Sequence, residues 1–252
     1  MKNLFLKFGL NIFLVFALLF VLTFFLKPNN IAQGAPTTVS RQISAGADDA
    51  HQGNNGSSFI STAPLVRAGN LFSGGLRFTN IAVPKDAVID SASIECYVDS
   101  TTRDDPSLSI YAEKVDNSVS FASNANVVAR SKTAASVLWT GTNLGTGYKT
   151  SPNISSVIQE VINRSGWNSG NAITFILVGN NSNLDFRCVA FEGGTTARRA
   201  KLNLTYHLES PPLPTVDLKV NDSNGPISLA RGALATLSWN STNSTSCTAS
   251  GD

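Results

Sequence analysis

Apolar and polar residues alternate through most of the middle of the chain. In SASIECYV, Ala92, Ile94, Cys96 and Val98 take every second position, with Ser93, Glu95 and Tyr97 between them. A period of two predicts a half-buried strand. Leu76 and Phe78 alternate in GGLRFTN, and Leu108, Ile110 and Ala112 do so in SLSIYAE. The run Ile173–Gly179 is more continuously apolar and predicts a central strand, and Leu202, Leu204 and Tyr206 share one face of a terminal strand. Asn, Asp, Gly and Pro between these runs supply turns. One segment has a different period. Ile154, Val157, Ile158, Val161 and Ile162 follow helical spacing, predicting a helix over about 152–165. Asn153 or Ser151 can cap its start and Gly166 can end it, with Gln159, Asn163 and Arg164 on its polar face. Short strands with one helix predict an all-β, jelly-roll-like sandwich over 36–209, with the helix covering an open end or edge.

The ends of the chain read differently. Lys2 and Lys7 precede an apolar stretch from Phe8 to Leu26, followed by Lys27, Pro28 and the small-residue segment Ala32–Pro36. This order predicts a signal peptide over 1–35, cleaved after Gly34. The stretch also approaches the ~20 residues that span a bilayer, so an uncleaved anchor is the competing expectation, and the only membrane contact foreseen. After Glu209, the segment 210–215 is a Pro-rich, extended linker. A second strand-rich segment, 216–252, is too short for a two-sheet sandwich, so the chain is expected to break off inside a second domain.

Charge narrows the function. Removing Lys2, Lys7 and Lys27 from the 19 basic residues leaves 16 against 17 acidic ones. A near-neutral exported part with no basic patch argues against a nucleic-acid partner. Only 14% of residues are charged, and Ser, Thr, Asn and Gly fill the surface positions instead.

Candidate chemistry is sparse. The two histidines, His51 and His207, lie far apart, and no His/Cys cluster has zinc spacing. No nucleophile-elbow or phosphate-loop motif occurs. Glu113, Glu160 and Glu192 can be assembled into carboxylate pairs of the kind glycoside hydrolysis uses, but each reads equally as a surface charge. The expectation is therefore no enzyme within this chain. Sugar binding needs exposed aromatic faces, for which Tyr97, Tyr111, Tyr148 and Trp167 are candidates, whereas Trp139 alternates with Val137 and reads as core. Cys96 and Cys188 both sit in strand-like segments and can pair as a disulfide or remain buried thiols. Asp48-Asp49 precedes the Gly/Asn-rich HQGNNGSS, read as a loop that can offer calcium its oxygen ligands, and Asp104-Asp105-Pro106 reads as a hairpin turn.

Several stretches carry a family resemblance: ISAGADDA, GGLRFTNIAVPKDAVIDSASIECYVD, LSIYAEKVDN, SVLWTG, SPNISSVIQEVINRSGWNSGNAITFIL and ARRAKLNLTYH. In this order they resemble the DNRLRE, or disaggregatase-related, carbohydrate-binding-module-like family of bacterial secreted proteins, across nearly all of 41–207. The sequence departs from that pattern at Cys96 and in the Cys188–Gly194 segment. The resemblance implies a jelly roll, an extracellular or cell-surface location and a structural calcium near one end, for which Asp48, Asp49 and Glu192 are the candidates. The tail resembles the opening strands of bacterial Ig-like domains, in which Cys247 would be the first cysteine of an intersheet pair. The expected function is binding or adhesion, with glycan or another cell-surface polymer as partner. The alternatives are a purely structural stalk, or an accessory module of an enzyme whose catalytic domain lies beyond Asp252.

Overall fold

The computed structural model describes residues 34–99, 105–141, 145–180 and 185–244. The expectations for the first 33 residues, Asp104 and Cys247 lie outside these. Two compact units are distinguished: one is Gly34–Leu208, and the described residues of the other are 209–244.

The larger unit is an all-β sandwich with one helix. Its strands are β1 (Thr37–Gln42), β2 (Asp49–Gly53), β3 (Leu65–Gly69), β4 (Phe72–Phe78), β5 (Val88–Val98), β6 (Ser107–Ala112), β7 (Val137–Thr140), β8 (Gly147–Thr150), β9 (Ile173–Gly179), β10 (Asp185–Val189) and β11 (Lys201–His207). One antiparallel sheet has the order β1-β11-β5-β8 and the other β2-β4-β9-β6-β7, while β10 and β3 pair separately. The chain crosses back and forth between the sheets, the jelly-roll way of burying one face of each.

Period-two alternation sets what is inside. Ala92, Ile94, Cys96 and Val98 of β5 and Leu202, Leu204 and Tyr206 of β11 are buried, and they meet Leu76, Phe78, Leu108, Ile110, Phe175 and Leu177 in one core. Trp139 is buried against Phe186, with ring centroids 4.9 Å apart. The helix α1 (Ser155–Ile162) is shorter at both ends than its apolar spacing predicts. Asn153 acts just ahead of it, its Oδ1 accepting from the N–H of Ser155 and of Ala92. Val157, Ile158, Val161 and Ile162 join the core, and Gln159 bonds the β5 edge at Ala87 and Ile89. The helix therefore continues the edge that β8 begins.

The segment HQGNNGSS is not wholly a loop. Its first three residues, His51, Gln52 and Gly53, end the buried strand β2. Their polar groups have partners: His51 stands edge-on to Phe72 at 5.2 Å, and Gln52 Oε1 accepts from the N–H of Val127 and Val128. That second bond ties down a long connection, 113–136, against the outer side of the β2-β4-β9-β6-β7 sheet. Phe121 and Val127 pack there with Ala50 and Ile176, and Tyr111 joins them. Gly75 is required at this point, because a Cβ would lie 2.3 Å from Phe121 Cζ. Arg130, fully buried, anchors the connection through Glu113 Oε2 at 2.6 Å.

In the smaller unit, β12 (Thr215–Val220) and β13 (Leu237–Thr242) form a two-stranded antiparallel ribbon.

Candidate ligand-binding face

The outward side of the β1-β11-β5-β8 sheet is built in rows by strand register. Thr38 lies opposite Thr205 and Ser91, Ser40 opposite Asn203 and Ser93, and Gln42 opposite Lys201, Glu95 and Thr150. Tyr97 and Tyr148 form the last row. All of these are exposed or half-buried, the complement of the buried alternation on the same strands. One end of the face is rich in hydroxyls and amides, and the other is aromatic and cationic.

At the aromatic end the tyrosine rings meet edge to face, centroids 5.3 Å apart. The Arg198 guanidinium stands 5.0 Å from the Tyr97 ring and Lys201 Nζ 4.0 Å from the Tyr148 ring, favourable cation–π distances. The Tyr148 hydroxyl donates to the carbonyls of Ala197 and Arg199, fixing the ring against the 3₁₀ turn Thr196–Arg198. Gln42 Nε2 donates to the carbonyls of Thr196 and Arg199 and holds the turn from the other side.

At the hydroxyl end an open depression of about 250 Å³ is lined by Thr38, Thr205, Ser91, Ser93, Asn203 and Asn153, with the backbone of the strands beneath. Ser40 Oγ donates to Asn203 Oδ1 at 2.7 Å. His207 Nδ1 and Asp90 Oδ1 are 2.7 Å apart where β11 ends beside the start of β5, and a bulge interrupts the β5–β11 register there.

The structure separates the four aromatic candidates. Tyr97 and Tyr148 come together. Trp167 does not join them: it is 1% exposed, and its indole N–H donates to the Val83 carbonyl. It is a core residue, packed in the cluster between the two sheets. Tyr111 belongs to the opposite sheet, packed under the 113–136 connection.

Asp48, Asp49, Glu113 and Glu160 serve as acceptors within the fold. Asp48 is buried and pairs with Arg77 at 2.5 Å. Asp49 accepts from the Phe191 N–H at 2.7 Å, and burial pushes its carboxyl up to about 7, with Glu192 and Asp48 adding to the rise. Glu192 lies exposed over Gly46. Among the described residues, no group of three His, Cys, Asp or Glu side chains is arranged to hold a metal ion. Glu113 is paired with buried Arg130. Burial alone would raise Glu160, but the N–H groups of Ala135 and Ala134 and the Lys114 ammonium hold it below its ordinary value. His51 is driven down by burial and by the charge of Arg67.

Cys96 and Cys188 are joined as a disulfide with Cα atoms 5.2 Å apart, linking β5 to β10. Among the described residues no helix is long and apolar enough to cross a membrane. The polar rows and the cations of 198–201 are absent from the aromatic candidates picked out by sequence. The signal for them was the polar half of the same alternation that predicts the core.

No protein-family model matches this chain, and no curated protein is significantly similar to it.

Proposed function

We propose that Gly34–Leu208 is a non-catalytic binding or adhesion module outside the cell or at its surface, with a glycan or similar cell-surface polymer as ligand. The observation that carries this reading is the Tyr97–Tyr148 pair, held through the hydrogen bonds of the Tyr148 hydroxyl and flanked by cations, on an open sheet face whose other end is rich in hydroxyls and amides. Sugars present apolar C–H faces and many hydroxyls, and such a face offers rigid aromatic surface beside polar partners. The Cys96–Cys188 disulfide supports export, because disulfides persist in oxidising compartments. The apolar stretch Phe8–Leu26 supports it too. The ordered resemblance to the DNRLRE-type modules adds a carbohydrate-binding precedent.

A glycan array probed with the exported chain tests the reading. Binding is expected, and Tyr97→Ala should weaken it by about tenfold, as loss of an aromatic anchor does. No binding to any glycan, with the fold intact, would leave the second reading, a stalk segment. That reading is favoured by the Cys96–Cys188 disulfide and the buried Arg130–Glu113 pair, which stabilise the unit without serving a ligand.

A further inference from the structure

We propose that the depression at the hydroxyl end is a second sugar subsite, and that the ligand is an extended chain lying along β5 and bridging it to the tyrosine pair. This rests on the glycan reading above and adds the length and direction of the ligand.

Two amides at the depression have their carbonyls already committed. Asn153 Oδ1 accepts from the N–H of Ala92 and of Ser155, and Asn203 Oδ1 accepts from Ser40 Oγ. The group each amide has left to offer is its Nδ2 donor. Both side chains line the depression, together with the hydroxyls of Thr38, Thr205, Ser91 and Ser93. Hydroxyls both donate and accept. The lining thus offers fixed amide donors among adaptable hydroxyls and no charged side chain. That chemistry suits the neutral hydroxyls of a sugar ring. It supplies no cation to pair with a carboxylate or a phosphate.

Geometry joins the two ends. Ser91, Ser93, Glu95 and Tyr97 point outward from one continuous strand. From Ser91 to Tyr97 the strand advances six residues, or roughly 20 Å at ~3.4 Å per residue. A single sugar reaches one end, and only an oligomer touches both. Between them the row of Gln42, Lys201 and Glu95 supplies further polar side chains along the path. Linking two weak contacts through one chain multiplies their strength when the span is matched.

The test is titration calorimetry of the exported chain with linear xylo-, manno- and cello-oligosaccharide ladders, dimer through hexamer. For the series that binds, affinity should rise with length until the chain spans both ends. The variant Asn203→Ala removes the amide donor, together with the acceptor for Ser40 Oγ, and adds no charge. With Ser93→Ala it should lower affinity for the hexamer by about threefold to tenfold, the worth of one or two hydrogen bonds. Its affinity for the dimer should not change. An unchanged melting temperature shows that these surface changes leave the fold intact. Equal affinity for dimer and hexamer, or an undiminished hexamer affinity in the double variant, would overturn the second subsite. If Tyr97→Ala still weakened binding by about tenfold, the glycan reading would survive that result. Absence of binding in every series and on the array would overturn both.

Discussion

Asp49 is a carboxylate placed where its charge is unfavourable. It is 2% exposed, beside Asp48 and Glu192, and one backbone N–H offsets part of that cost. With its pKa raised to about 7 from an ordinary value near 3.8, the folded state holds a proton that the unfolded state has released. Stability from this group is fully present below about pH 4 and is lost as pH rises to about 7. Asp49→Asn should remove that slope and stabilise the protein at pH 8 by up to about 4 kcal/mol, because Asn still accepts from Phe191 and carries no charge. Thermal melting of both forms between pH 4 and 8 measures it, and a wild-type curve that rises over this interval would contradict it. The sequence made Asp48-Asp49 conspicuous, but two adjacent acids look the same whether they face solvent, a cation or an arginine. Their protein partners, Arg77 and the Phe191 N–H, are distant in the chain. Trp167 teaches the same lesson, since a large aromatic after a helix reads equally as ligand platform or core until Val83 is seen to accept its indole proton.

At the scale of elements, the strands with clean alternation were legible and the polar ones were not. The pattern around Ile94, Leu108 and Leu202 corresponds to β5, β6 and β11, and the apolar run from Ile173 is β9. His51 and Gln52 carry no such pattern, yet β2 is buried because the 113–136 connection covers it and supplies the bonds its side chains need. The disulfide acts between elements. It joins β5 to β10 across 92 positions of sequence, and closing so long a loop restricts the unfolded chain strongly. Reduction, or Cys96→Ser with Cys188→Ser, should lower unfolding free energy by about 2–4 kcal/mol. Urea titrations with and without reductant measure the loss, and superimposable curves would show that the link contributes nothing.

At the scale of the whole molecule, the Gly34–Leu208 unit contains both sheets and the hydrophobic core that joins them. The residues after it begin with exposed Pro211, Pro212, Leu213 and Pro214. Limited proteolysis should cut within 209–214 first and leave a fragment ending near Leu208 that melts at the same temperature as the intact unit. Cleavage first inside 36–207, or a fragment that melts much lower, would mean that the sandwich depends on the residues that follow.

The sequence by itself determined the strand-rich class, the helix and the side of each amphipathic strand that faces inward. These follow from local periodicity, because a side chain's direction along a strand or helix is set by its neighbours in sequence. Only the tertiary structure decided that Tyr97 meets Tyr148 while Tyr111 and Trp167 go elsewhere, that Cys96 pairs with Cys188, and that Thr38, Ser93 and Asn203 share one surface. Those are relations between strands far apart in the chain. Register and sheet order create them, and no local period encodes either.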